Sequence, residues 1–292
     1  MDRFLNLTLS GVTSGMVFAT VALALVLIWR ATRIVNFAQG AMLMVTTFLA
    51  WTVIRQGGSY WVALAVALAA GLVLGALIER GVIRPVENKP PLNAVIVTLG
   101  LFVVLQAGAG MIWGGQPRSY PPAFTIQGFT LGGTQLQLSP ADLFVIGAVG
   151  FVMVTLVVLF RRTDIGLKLR AAAFAPEVSR LLGVRVGRML TLGWALASMV
   201  GSLAGVLIAP SVFVGPTQFD AILVFGFTAA VIGGLDSPVG AVVGGLLLGC
   251  ALSYVSGYVS SDIVTLGAFA VLIAVLMIRP NGLFAVTPGR RV

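Results

Sequence analysis

Long apolar runs and short polar breaks alternate along the whole chain. A membrane-spanning helix needs about 20 residues to cross roughly 30 Å of hydrocarbon. Eight runs come close to that length, at 5–29, 36–54, 60–78, 93–113, 142–160, 189–209, 239–258 and 262–278. A ninth, AILVFGFTAAVIGGL at 221–235, lies between Asp220 and Asp236 and would rise only about 22 Å at 1.5 Å per residue. Its length fits a half-helix or a re-entrant segment as well as a crossing. The first run has no charge between Arg3 and Arg30, longer than the core of about 7–15 residues in a cleaved signal, so a retained helix is expected.

Inside the runs, small residues recur every four positions. Gly193, Ala197, Gly201 and Gly205 form one stripe, Gly11, Gly15 and Ala19 another, Gly71 and Gly75 a third, and Ala241, Gly245 and Gly249 a fourth. Lipid supplies no hydrophobic force between helices, so close association relies on such stripes. These positions are read as packing residues of a dense bundle. The expected fold is an all-α polytopic membrane protein of 8–9 transmembrane helices forming a single domain over 1–292.

The breaks have patterns of their own. Segment 114–140 opens with prolines and then alternates on either side of Gly132-Gly133, the signature of a small β-hairpin with a primed turn. Segment 161–188, RRTDIGLKLRAAAFAPEVSRLLGVRVGR, contains helix grammar. Pro176 suits a first helical position, Glu177 favours the first-turn dipole, and Gly183 stands where a helix should stop. So short a helix is marginal in water and needs something to dock on; Val178, Leu181, Leu182 and Arg180 offer a mixed face for a partner groove. An approach helix is expected at 165–173, with Lys168 and Arg170 available for acidic residues or lipid headgroups.

Composition narrows the class. At 59% hydrophobic residues, 9% charged and a mean hydropathy of +1.06, the chain has more apolar surface than one water-soluble core can hide. Its partner is the lipid bilayer. The net charge of +9 is no sign of nucleic-acid binding, because the basic residues gather between apolar runs, where they set topology. With 161–188 inside and nine crossings, fifteen of the eighteen Lys and Arg fall on the inner side and only Arg3, Arg55 and Arg118 outside. This split favours counting 221–235 as a crossing and puts the N-terminus outside and the C-terminus in the cytoplasm.

Chemistry on bonds is not expected. There is no His and a single Cys, Cys250, inside an apolar run, which removes His-based triads and Cys/His metal sites. Neither a metal nor a cofactor is expected. None of the nine carboxylates falls in the middle of a clear span, as an ion-coupled carrier would require. No G-x-x-x-x-G-K-[ST] motif is present, so ATP, if it drives transport, must be hydrolysed by a partner. Uncharged polar residues mark a candidate path: Asn36, Gln39 and Gly40 at the start of the second span, with Ser14 and Thr98 on neighbouring spans, where helix N-termini face substrate or water.

Four stretches resemble one family. VNFAQG at 35–40, the run through Gly166, Arg170, Ala171, Glu177, Leu182 and Gly183, GGLDSPVGAVVGGLLLG at 233–249 and RPNGLF at 279–284 occur in the order found in permeases of branched-chain amino acid ABC importers, most similar to their LivH-like branch. The resemblance implies a type II ABC importer permease of the bacterial inner membrane, without catalysis of its own. It also implies a second related permease, cytoplasmic ABC ATPases, and a periplasmic or extracellular substrate-binding protein. Segment 161–188 becomes the cytoplasmic coupling loop, with Gly166, Arg170, Pro176, Glu177, Leu181, Leu182 and Gly183 as its ATPase-coupling residues. Branched-chain amino acids are the expected substrate; urea or short amides, or a stand-alone channel for small neutral solutes, are the alternatives.

Overall fold

The computed structural model describes residues 2–87, 89–131, 134–136, 138–279 and 282–284. Each apolar run becomes a helix: α1 (Asp2–Thr32), α2 (Gln39–Arg55), α3 (Tyr60–Ile78), α4 (Pro91–Trp113), α5 (Pro140–Arg162), α8 (Val186–Val212), α9 (Asp220–Gly233), α10 (Pro238–Tyr258) and α11 (Val264–Ile278). Two short helices, α6 (Asp164–Phe174) and α7 (Pro176–Leu181), lie between α5 and α8. Among the described residues seven helices are long and apolar enough to span a membrane. The seventh is α11 counted from the turn at Ser261, 18 residues in all; the 17-residue α2 and 14-residue α9 are shorter.

The core is built around α1. From Val17 to Ile28 every residue is buried, and most of α8 is buried beside it. Glycine stripes allow this. A Cβ on Gly15 would lie 2.8 Å from the Gly245 carbonyl of α10, and one on Gly245 would lie 2.6 Å from the Ala19 amide. These are backbone-to-backbone approaches that no side chain fits. Gly201 and Gly205 of α8 receive Gln39 and Thr47 of α2, Gly193 faces Ala31 at the end of α1, and Gly249 lies against Gly11 and Gly15. In contrast α4 and α11 are peripheral, with Val104 67%, Met111 87% and Met277 81% exposed.

Loop contacts sort the bundle into two ends. At the basic end Arg33 pairs with Asp236, Arg84 reaches Gly187 and Thr191, and Arg30 lies over the Phe160 ring. At the far end Arg118 and Val214 exchange backbone hydrogen bonds of 2.9 and 2.8 Å, the Trp51 indole donates to the Ser119 carbonyl, and Arg3 donates to Gly257. The short α9 reaches both. Near its start Asp220 accepts from Gln106 of α4; at its finish the Ile232 and Gly233 carbonyls accept from the Leu283 and Phe284 amides. The 282–284 turn thus satisfies carbonyls that a helix end leaves open. Gly282, at φ +80° and with Gly234 Cα 2.5 Å from where its Cβ would be, is the residue type that fits there.

Two local expectations are corrected. The second helix starts at Gln39 rather than 36, because Asn36 accepts the Ala38 amide on its own Oδ1 (3.0 Å) and turns the chain before the helix begins. The break at 79–92 is not simply a loop: α3 continues through a π-helical turn, Glu79–Ile83, and a 3₁₀ turn, Arg84–Val86. In 114–140, β1 (Thr130–Leu131) and β2 (Thr134–Gln135) pair antiparallel with Leu131 opposite Thr134, and Phe129 extends the pairing by backbone bonds with Leu136 and Leu138. The Gly132-Gly133 turn lies outside the described residues, as do Pro280 and Asn281 of RPNGLF.

Candidate functional site

The basic end carries the most chemically unusual surface. Thr163 accepts the Gly166 amide at 3.1 Å and starts α6. Gly166 is buried, and a Cβ there would lie 2.6 Å from Phe160 Cα, so α6 folds back tightly on α5. Pro176 opens α7 with Glu177 in its first turn, and Gly183 ends the turn at φ +80°, as the sequence grammar indicates. Only Ser179 of α7 is buried. Leu181 is 88% exposed, Leu182 78% and Val178 55%, and Phe174 just before the helix is 92% exposed. A one-and-a-half-turn helix with four large apolar side chains in the open is not stabilised by its own contacts.

The sequence-predicted coupling residues therefore separate into two groups. Pro176, Glu177, Leu181, Leu182 and Gly183 belong to the projecting turn. Gly166 and Arg170 belong to the α5–α6 seam, where the exposed Arg170 donates to the Gly166 carbonyl at 3.3 Å and lies near Arg30. They do not share the α7 surface. Phe174 does, and was absent from the expected set because it sits two residues before the Pro-to-Gly pattern begins.

Behind α7 lies a cluster that sequence reading missed. Glu79, 1% exposed, receives three hydrogen bonds from Arg84, from Nε (3.1 Å) and Nη2 (3.0 Å) to Oε1 and from Nη2 to Oε2 (2.9 Å). Arg84 Nη2 also donates to the Gly187 carbonyl at 2.9 Å and the Thr191 hydroxyl at 2.8 Å, and Thr191 donates to Glu79 Oε2 at 2.7 Å. The end of α3 is thus tied to the first turns of α8, immediately after α7. Glu87 sits in the same region; burial, then the neighbouring Glu79, raise its pKa, with Arg180 and Arg84 opposing. An acid and a base five residues apart at the edge of an apolar run were the only available signal, and they read equally well as loop charges.

The polar residues of the candidate path form a second cluster. Asn36 and Gln39, both fully buried, are joined by an Asn36 Nδ2 to Gln39 Oε1 bond of 3.0 Å. Gln39 Nε2 points to the Ala197 carbonyl at 3.5 Å. Gly40 packs on Leu223 of α9, 3.0 Å from a Cβ there, and buried Thr98 of α4 donates to Val95 at 3.0 Å and lies 3.5 Å from the Val35 carbonyl. Asn36 and Gln39 therefore meet each other beside α8, Gly40 meets α9, and Thr98 of α4 approaches the backbone at Val35, next to Asn36. Ser14 does not join them: it lines a cavity of about 400 Å³ near the far end, with Ser10, Tyr60 and Asp142. Among the described residues no three His, Cys, Asp or Glu side chains gather as a metal site would need.

The chain is similar to known proteins along nearly its whole length. A family described as branched-chain amino acid transport system / permease component matches residues 7–279. The chain is 30% identical to the high-affinity branched-chain amino acid transport system permease protein LivH of Escherichia coli (strain K12), over 96% of this chain and 95% of that one. It is 26% identical, over the same shares, to the corresponding permease protein BraD of Pseudomonas aeruginosa. Among solved structures, PsaBC from Streptococcus pneumoniae in complex with Fab shares the fold, with a TM-score of 0.50 at 13% identity over 96% of this chain and 93% of that one.

Proposed function

The chain belongs to the branched-chain amino acid transport permease family, and from that premise we propose that it is the membrane subunit of an ATP-driven importer for branched-chain amino acids. The observation that carries the mechanism is α7: an exposed apolar helix backed by a side-chain strut into the bundle. A cytoplasmic ABC ATPase receives Phe174, Leu181 and Leu182 in a groove, and closure of the ATPases on ATP pushes α7. Arg84 carries that push from the α7–α8 junction to α3.

In this reading nine helices cross the bilayer, with α2 and α9 as short crossings, the N-terminus outside and the basic end in the cytoplasm. Support comes from the loop contacts: each bond at either end joins segments that alternation through nine crossings puts on one side. A second, related permease covers the exposed faces of α4 and α11, and an external binding protein docks at the far end and selects the substrate. Asn36, Gln39 and Thr98 line the path when the helices part. The Asn36–Gln39 bond closes it in the present state.

The deciding experiment is purification of the tagged chain with its partners, reconstitution in liposomes, and uptake of radiolabelled leucine with and without enclosed ATP. ATP-dependent uptake in the presence of the binding protein is expected. Uptake by this chain alone, without ATP, would instead make it a channel for small neutral solutes.

A further inference from the structure

Two adjoining cavities of about 290 and 260 Å³ open at the basic end, and α7 lines neither. They share Leu27, Arg30, Phe160 and Arg170 as a common wall; Arg33 lines the first and Arg161 the second. Three guanidiniums thus line each cavity. Asp236 pairs with Arg33, and the one other salt bridge among the described residues is Glu79–Arg84. Among the described residues, Arg30, Arg161 and Arg170 therefore have no carboxylate at ion-pair distance. Arg30 is half-buried over the Phe160 ring and within electrostatic reach of Asp236 as well as Arg170 and Arg33, so three guanidiniums share the one carboxylate there. Like charges held together beside a low-dielectric wall call for an anion.

The walls say which kind of anion. The second cavity continues along Leu23, Met153, Leu156, Val157 and Val242, an apolar trough that a soluble anion would leave empty. At its rim Val157 of α5 is 40% exposed and Val239 of α10 52% exposed, so it opens sideways between these helices, where acyl chains lie. A basic head and an apolar side exit are what an amphiphilic anion needs.

We infer that this groove holds an anionic phospholipid of the cytoplasmic leaflet, its phosphate among Arg30, Arg161 and Arg170 and one acyl chain along Met153, Val157 and Val242. The assignment rests on the membrane orientation proposed above and not on substrate or coupling. Because Arg170 is on α6 and Arg30 on α1, the lipid ties the base of the coupling segment to the core helix.

The test uses the intact transporter, purified with its partners into phosphatidylcholine nanodiscs containing a small fraction of phosphatidylglycerol, with lipid retained per complex counted by native mass spectrometry. Phosphatidylglycerol retention is expected to exceed that of phosphatidylcholine and to fall about fivefold in affinity for each arginine removed in Arg30→Gln and Arg170→Gln. Arg55→Gln, at the far end, should leave it unchanged, and the double Arg30→Lys, Arg170→Lys variant should retain it, separating charge from folding. Equal retention in the Gln variants would overturn the site. Displacement of phosphatidylglycerol by inorganic phosphate would overturn the lipid assignment in favour of a soluble anion, and loss of binding without loss of ATP-driven uptake would leave the proposed transport function standing.

Discussion

Arg84 holds Glu79 with hydrogen bonds to both carboxylate oxygens while its Nη2 also reaches α8 at Gly187 and Thr191. The two partners are not equally placed: the Glu79 side chain is 1% exposed and that of Arg84 42%. Arg84→Ala leaves a buried carboxylate without its cation, whereas Glu79→Gln leaves a guanidinium that water can still reach. Arg84→Ala should therefore destabilise by roughly 1–3 kcal/mol, below the range for fully buried pairs, and Glu79→Gln by less. Thermal unfolding in detergent, compared for the two variants, reads this asymmetry.

The same strut has a functional signature. In complexes that still assemble, Glu79→Gln and Thr191→Val should lower leucine transported per ATP hydrolysed, with basal hydrolysis little changed. Parallel loss of both activities would make the cluster structural only.

At the α7 surface, Leu181→Asp with Leu182→Asp should abolish substrate-stimulated ATP hydrolysis while the protein still inserts, because these side chains have no packing role within the chain at 88% and 78% exposure. Unchanged turnover would remove α7 from the ATPase contact.

For the path, Asn36→Cys and Gln39→Cys should be inert to small aqueous thiol reagents at rest, being fully buried, and should react during ATP turnover. Ser14→Cys, in the cavity near the far end, should react in both conditions. The test is best made with Cys250→Ala as background. Permanent inertness at 36 and 39 would assign them to packing.

Glu87 supplies a pH dependence. Its folded-state pKa lies above the ordinary value because burial and Glu79 disfavour the charge, so the folded state holds the proton longer than the unfolded state. Stability linked to this group is present below the unfolded pKa and declines as pH rises through the folded one. Glu87→Gln should flatten that decline in thermal unfolding measured from pH 4 upward; an unaltered profile would assign the decline elsewhere.

Much of the fold was legible in one dimension, for a physical reason: in lipid a span must satisfy its backbone internally, so each apolar run has to be a helix, and the small residues on it have to face other helices. The stripes through Gly15, Gly201, Gly245 and Gly249 were readable on that ground, and so was the short helix from Pro176 to Leu181, because its start and stop are local chemistry. The sequence also carried the family through motifs spread from 35 to 284.

Tertiary structure decided what depends on long-range approach. Glu79 and Arg84 look like loop charges until Thr191, more than a hundred positions later, closes the cluster around them. Gly166 and Arg170 share a motif with Leu182 but are held at the α5–α6 seam, Gly166 buried in it, by a helix reversal that no periodicity encodes. Arg30, Arg161 and Arg170, scattered among topology signals along the chain, surround one groove only because α1, α5 and α6 converge there. Spacing along a helix reports which face a residue occupies; only packing reports what that face meets.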